Sequence, residues 1–276
     1  MKKILFPTDF SDAANNAFLY ALQLAKSADA EIITLHVYEL PLVDYMDVPV
    51  YLHDIYEVTE LSNFQNYRHN IPVLRDIAEK HHLDDIKISN VLENGNLLDN
   101  IRKITSEQNI DYIVMGTKSS DGFSAAFLGS VTEKIMHQAH TIVLAIPENC
   151  QFEKPKKILF ITRFEPSDKD LLKNVIAMAQ LFQSSVDCLY VRNTNDIIED
   201  SVIEDWKEVL EQEEVTYHTL LGNDVEHTIL DFIDAHHTNI LAMPVHDRRF
   251  FEGLFHVSLS KKLTSHVRIP ILSLHD

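Results

Sequence analysis

An internal repeat constrains the fold of this chain more than any other feature of its sequence. Residues 2–6 (KKILF) recur letter for letter at 156–160, an offset of 154 residues. Later in the chain an offset of 128 residues aligns Ser130 with Ser258, so the first half carries additional residues between the two blocks. A chain of 276 residues has room for two domains of ordinary size. The repeat therefore predicts a duplicated fold.

Strands and helices alternate in both halves of the predicted secondary structure. Apolar runs in the first half predict strands at 3–8, 31–38, 86–92, 111–116 and 141–146, and periodic patterns predict helices at 12–28, 55–81, 96–108 and 130–139. In the second half the predicted strands fall near 157–162, 185–192, 215–221, 239–243 and 269–274. This alternation favours an α/β fold with two tandem, doubly wound parallel-sheet domains.

The connector at 147–155 is polar and bracketed by prolines, so we place a domain boundary near residue 150. The predicted domains are 1–150 and 151–276. The last strand of each half is strongly apolar, and we expect both to be sheet edges that need covering.

Composition excludes several classes of partner and indicates a compartment. The formal net charge of −18 argues against nucleic-acid backbones and anionic membranes, although it leaves room for a small phosphate ligand. No run approaches the roughly 20 apolar residues of a membrane span. Cys150 and Cys188 lie far apart without metal-ligand spacing, and we interpret them as free thiols. We therefore expect a cytoplasmic protein without nucleic-acid or membrane partners.

The segment 110–147 has the pattern of a ligand-binding strand–loop–helix unit. Gly116 ends a buried strand, and Ser130 with Glu133 forms a capping box at the start of a helix. A helix N-terminus at the carboxyl end of a parallel strand favours an anion such as phosphate. The same spacing also fits an ordinary βαβ turn, in which the cap alone contributes about 1 kcal/mol.

Three stretches of the first half resemble a universal stress protein domain: LFPTDFSDAA, LHVY and VMGTKSSDGFSAAFLGSVTEKIMHQAHTIVLAIP. The resemblance extends to both halves, so the chain is similar to a tandem member of that family. It implies Rossmann-like domains of the adenine nucleotide alpha hydrolase-like type. Nucleotide-binding members carry G-x-x-G, nine residues and then G-S/T. Here Gly116 and Gly129-Ser130 match that pattern, but position 119 is Ser, whose Cβ could obstruct the approach of a ligand.

The resemblance implies a nucleotide site in the first domain. The residues it implicates are Pro7, Thr8, Asp9, Val37, Met115, Gly116, Thr117, Lys118, Ser119, Gly129, Ser130, Val131 and Thr132. Asp9 would contact the nucleoside, the Val37 backbone would hold adenine, and 129–132 would hold phosphates. The implied ligand is ATP or a related adenine nucleotide, with or without Mg²⁺.

Purely structural roles compete with several of these assignments. Asp9 or Ser11 could serve only as the N-cap of the first helix. Val37 and Met115 would be core residues in any such fold, and Thr132 could simply fill the first turn of its helix. Only the co-occurrence of the Asp9 block with the Gly129-Ser130 block raises the ligand interpretation above these alternatives.

The second half departs from the binding pattern at its main positions. Arg163 stands at the equivalent of Asp9, Pro244 at that of Gly116, Asp247 at that of Ser119 and Val257 at that of Gly129. A cation replaces the nucleoside-binding carboxylate, and two glycines are lost. We therefore predict that the second domain binds no nucleotide and acts as a structural partner.

Two functions remain in competition on the sequence alone. The leading one is a cytoplasmic stress-response protein that binds ATP or a related adenine nucleotide in its first domain, with little or no turnover. The alternative is a scaffold of the same fold that acts through protein partners. No catalytic residue or metal ligand is assigned, so a weak ATPase is the most activity we expect. The expected assembly is an intramolecular pseudo-dimer of the two domains, and a homodimer is the further association considered.

The segment 39–55 has two prolines and little periodicity, which predicts a loop or lid. Its apolar residues could cover a cleft, contact another subunit or fill a groove on their own domain. Pro72 is expected to break or kink the helix that follows.

Overall fold

The computed structural model describes residues 1–40, 52–117, 130–192, 198–210, 214–245 and 269–275. Two compact units make up the chain, Met1–Gly116 and Thr117–Asp276. The sequence repeat places the boundary between the two repeated domains near residue 150, and that boundary stays a prediction.

The first unit is a parallel sheet with a helix between each pair of successive strands. Its elements are β1 (Lys2–Pro7), α1 (Asp12–Ala28), β2 (Ala30–Tyr38), α2 (Leu52–Lys80), β3 (Ile88–Asn94), α3 (Leu97–Gln108) and β4 (Tyr112–Thr117). The strands lie in the order β3-β2-β1-β4 and all pair in parallel. The chain runs from β1 outward to β3 on one side and returns to place β4 on the other side of β1. This reversal creates a topological switch point between β1 and β4.

The second unit repeats this arrangement and adds the last helix and strand of the first half. Its elements are α4 (Ser130–Gln138), β5 (Ile142–Pro147), β6 (Lys157–Ile161), α5 (Asp168–Phe182), β7 (Ser185–Arg192), α6 (Asp200–Val209), β8 (Val215–Leu221), α7 (Val225–His236), β9 (Ile240–Pro244) and β10 (Ile271–Leu274). The strand order is β5-β10-β9-β6-β7-β8. The α/β class and the mostly parallel sheet predicted from the sequence are thus confirmed.

Backbone conformation repeats at the same offset as the sequence. Phe10 and Phe164 both have left-handed backbones, with φ of 59° and 58°. Asp29 and Gln183, which end α1 and α5, are also left-handed, with φ of 49° and 58°. A non-glycine residue with positive φ is uncommon, so two such pairs 154 residues apart show that the duplication extends to backbone detail.

The last strands of the two halves pair with each other. β5 and β10 are antiparallel, with Ala145 opposite Ile271 and Val143 opposite Ser273. On its other side β10 pairs in parallel with β9. The two apolar strands that we expected to need covering, the last strand of each half, are therefore hydrogen-bonded to one another.

Helix α2 differs from the sequence prediction at two places. It begins at Leu52, inside the predicted loop 39–55, and it continues through Pro72, so the helix is not broken there, whereas a kink at Pro72 stays a prediction. Pro72 is exposed, so water can satisfy the carbonyl that its missing N–H leaves without a donor. The rest of the predicted loop, 41–51, lies outside the described residues. In the part of the chain that the structure describes, no helix is both long and apolar enough to cross a bilayer.

Candidate functional site

The carboxyl ends of β1 and β4 adjoin at the switch point of the first unit. Ile4 pairs with Tyr112 and Leu5 with Ile113. Extended by three residues, this register brings Thr8 beside Gly116. In open α/β sheets ligands bind in the crevice outside such strand ends. The first unit therefore presents its candidate crevice where the sequence analysis placed Asp9 and Gly116.

The turn after β1 is held by its own side chains. The buried Thr8 accepts a hydrogen bond from the Phe10 backbone N–H at its Oγ1, at 2.9 Å. The exposed Asp9 accepts one from the Ser11 N–H at its Oδ1, at 3.0 Å. Ser11 in turn caps α1 by accepting from the Ala14 N–H at 3.3 Å. Ser11, not Asp9, is therefore the N-cap, and no hydrogen bond of the described chain reaches Asp9 Oδ2.

Gly116 permits a close contact between β4 and α1. A Cβ built on Gly116 would lie 2.5 Å from the Ala13 carbonyl oxygen and 2.7 Å from the Ala13 carbonyl carbon. Both atoms belong to the backbone, so no rotamer change can relieve the overlap. Gly116, which the resemblance implicates in nucleotide binding, therefore also has a packing role against α1.

An aromatic cluster that the sequence analysis missed lies beneath this turn. The Phe10 ring is 5.1 Å from the His36 ring and 6.1 Å from the Tyr67 ring, measured between centroids. His36 Nδ1 is 2.8 Å from the Thr8 carbonyl oxygen, which can only accept, so Nδ1 carries the proton. In neutral His36, Nε2 is then an acceptor. Burial raises the pKa of the Tyr67 phenol.

The other candidate residues fall into three groups. Pro7, Met115 and Thr117 are buried, and Val37 is half-buried near the end of β2. On α4, Val131 is exposed and Thr132 is buried, and the helix begins at Ser130, where the sequence predicted the N-cap. Lys118, Ser119 and Gly129 lie outside the described residues. The burial of Met115 and Thr132 agrees with the structural roles left open for them.

The equivalent turn of the second unit is filled by an internal carboxylate. Asp168 is 0% exposed, and its Oδ2 accepts from the Thr162 hydroxyl at 2.6 Å. The same oxygen accepts from the backbone N–H groups of Arg163 and Glu165, both at 3.3 Å. Sequence alignment pointed only to Arg163, because Asp168 reaches back from the start of α5. Its one sequence signal is an Asp five residues after the Asp9-equivalent position.

The aromatic cluster is also duplicated, with larger and more apolar members. Phe164 lies 5.6 Å from Tyr190 and 4.9 Å from Trp206, between ring centroids. Tyr190 stands 154 residues after His36, so the second unit has a phenol where the first has an imidazole. The left-handed phenylalanine occurs in both units, and it is therefore a property of the fold and not of one binding site.

Comparisons with known proteins agree with the geometry. The sequence model described as "Universal stress protein family" matches residues 1–147. A universal stress protein of Methanocaldococcus jannaschii is 28% identical over 156 residues, covering 56% of this chain and 84% of that protein. Universal stress protein YxiE of Bacillus subtilis is 26% identical over 146 residues, covering 52% of this chain and 97% of that protein.

A solved structure extends the likeness in fold to the whole chain. The crystal structure of a universal stress protein from Archaeoglobus fulgidus has a TM-score of 0.70 and is 20% identical, covering 99% of this chain and 98% of that one. The family model matches more than half of the chain. The rest of the chain repeats the strand order of the first unit. The chain therefore belongs to the universal stress protein family, of which it is a tandem member.

Proposed function

We propose that this protein is a stress-response protein that binds ATP or a related adenine nucleotide in its first domain, with little or no turnover. The observation that carries the proposal is the position of Asp9. Its carboxylate is exposed at the switch point of the first sheet, and within the described chain only Oδ1 accepts a hydrogen bond. Oδ2 can therefore accept from a hydroxyl or amino group of a nucleoside.

The resemblance assigns other residues to other parts of the nucleotide. The half-buried end of β2 offers the Val37 backbone, to which the family resemblance assigns adenine. The protonated Nδ1 of His36 donates a hydrogen bond to the Thr8 carbonyl, which connects β2 to the turn that carries Asp9. Gly129, Ser130, Val131 and Thr132 would hold phosphates through backbone N–H groups, as the resemblance implies. Local amides of this kind can hold an anion even on a chain of net charge −18.

Binding without turnover is proposed because the resemblance assigns Asp9 to the nucleoside and no side chain as a base for hydrolysis. The second domain has a different role, since Asp168 occupies its equivalent turn. We propose that this domain supports the first one structurally. The site would then be single, with one nucleotide per chain.

A scaffold without nucleotide remains the second candidate, and the serine at position 119 is the observation that favours it. A Cβ at that position of the motif could obstruct the ribose or phosphate. In this case the crevice would stay empty and the protein would act through its surface.

Equilibrium dialysis of the full chain with labelled ATP tests the proposal. We expect saturable binding of one nucleotide, and we expect Asp9→Asn to weaken it by about 10- to 100-fold, because a hydrogen bond to a charged group contributes roughly 1.5–3 kcal/mol. Asp12→Asn is the matched control, since it removes another exposed carboxylate, three residues away in α1. No retention at millimolar ATP would favour the scaffold. Phosphate release that Asp9→Asn abolishes and Asp12→Asn preserves would instead indicate an ATPase.

A further inference from the structure

A second, exposed apolar stripe of α2 lies about 90° around the helix from the inner face. The inner face buries Tyr67, Leu74 and Ala78. Away from these buried residues, Val58 is 67% exposed, Leu61 57% and Phe64 47%. Exposed apolar residues that lie close together on one side of a helix are candidates for an interaction surface. This stripe is independent of the nucleotide crevice and of the function proposed for it.

The polar residues on this stripe have a directional charge pattern. Glu57, Leu61, Phe64 and Arg68 follow one another at spacings of four, three and four residues, which places them within about 60° of one another on the helix circumference. This is the spacing of a helix–helix seam. The stripe begins with an exposed acid and ends with an exposed base, and the Arg68 guanidinium lies 5.9 Å from the centroid of the Phe64 ring.

Such a stripe is complementary to itself in the antiparallel direction. A two-fold axis between Leu61 and Phe64 places Leu61 of one copy opposite Phe64 of the other. The same axis places Glu57 opposite Arg68, and it does so twice. A parallel arrangement would bring Glu57 against Glu57, which is unfavourable. A two-fold interface uses the same patch on both copies, which is the arrangement that this pattern satisfies.

We propose that the Glu57–Arg68 stripe of α2 is the docking surface for a second copy of this chain, with the two helices antiparallel. The net charge of −18 opposes close approach of two copies, but charges beyond about 8 Å are screened at physiological salt. The local Glu57–Arg68 pairs and the apolar contact between them act at short range. The association should therefore weaken at low ionic strength, where the overall repulsion is least screened.

Charge exchange identifies the partner as a second copy. Glu57→Arg alone leaves a cation at both ends of the stripe, and Arg68→Glu alone leaves an acid at both ends. Two copies of the same variant therefore oppose like charges, and each variant should self-associate at least about tenfold more weakly than wild type. In an equimolar mixture, a copy with two cations can pair with a copy with two acids, and both contacts are then attractive. The mixture should therefore recover the wild-type association.

Sedimentation equilibrium of the full chain, from micromolar to millimolar concentration, measures this association. Val73→Ala is the matched control: Val73 is 36% exposed on the same helix but lies about 120° from Leu61, so its loss should leave association unchanged. Phe64→Ser should abolish association in any mixture. A wild-type chain that stays monomeric overturns the proposal. So does a dimer that the single charge variants leave intact or that their mixture fails to restore.

Discussion

Replacing Gly116 by alanine tests how closely β4 approaches α1. The added methyl group would lie 2.5 Å from the Ala13 carbonyl oxygen, whereas ordinary van der Waals contact begins near 3.4 Å. The two elements must therefore separate locally by about 0.9 Å. The backbone of Gly116 is not in the left-handed region, so alanine adds no conformational strain of its own. The expected effect is purely steric.

The size of the effect follows from two opposing contributions. Overpacking a well-packed site typically lowers the free energy of unfolding by about 1–3 kcal/mol. We expect a cost toward the upper end of this range, because the atoms of Ala13 that the new methyl group meets belong to the backbone. Reduced freedom of the unfolded chain stabilises a Gly→Ala variant by about 0.4–1 kcal/mol. A net loss of about 1–2 kcal/mol is expected, which lowers Tm by roughly 2–8 °C for a chain of this size.

Differential scanning calorimetry of wild type and variant measures the shift, and a second glycine provides the control. A Cβ on Gly222 would meet the Thr228 hydroxyl, which is a side-chain contact. Thr228→Ala should therefore partly restore the stability of Gly222→Ala. By contrast, Ala13→Gly should not restore Gly116→Ala, because the Ala13 carbonyl remains. A Gly116→Ala protein with the Tm of wild type, or one restored by Ala13→Gly, would refute the reasoning.

Two further predictions concern buried and paired carboxylates. Asp168→Ala leaves three donors without their acceptor and should lower the free energy of unfolding, measured by urea titration, by about 2–3 kcal/mol. Asp170→Ala, at an exposed position of the same helix, should lower it far less. Equal losses in the two variants would contradict the role of Asp168. The hydrogen bond from Lys87 holds the pKa of Glu31 below its ordinary value of 4.5, with a smaller contribution from the charge of Lys3. A lowered folded-state pKa contributes stability that is fully present above the unfolded-state pKa and is lost as pH falls through the folded-state pKa. The difference in urea midpoint between wild type and Glu31→Gln should therefore be constant from pH 7 to about 5 and shrink at lower pH; a difference that grows on acidification would contradict the pairing.

The architecture followed from the sequence because its signals are local and repeated. Residues 2–6 and 156–160 predict the first strand of each half, and the alternation of strands and helices predicts the parallel sheet that was found. The start of α2 was misplaced because the apolar and acidic residues before residue 55 lack clear helical periodicity. Pro72 suggested a break or a kink, and its exposed position lets the helix continue past it.

The details of the crevice depended on contacts between residues distant in sequence. Tyr67 reaches Phe10 and His36 from a helix more than fifty residues away from Phe10, and no spacing rule connects them. Asp168 enters the second turn from the start of α5, which an alignment of equivalent positions does not reveal. The role of Gly116 in packing against Ala13 likewise depends on the distance between two elements.

The antiparallel pairing of β5 with β10 has a consequence for how the protein responds to dilution. Separate single-domain chains that met through such strands would part as their concentration fell. Here both strands belong to one polypeptide, so each meets the other at a high effective concentration that no dilution changes. A pairing that would be reversible between separate chains therefore persists at any protein concentration, and any further assembly must use another surface.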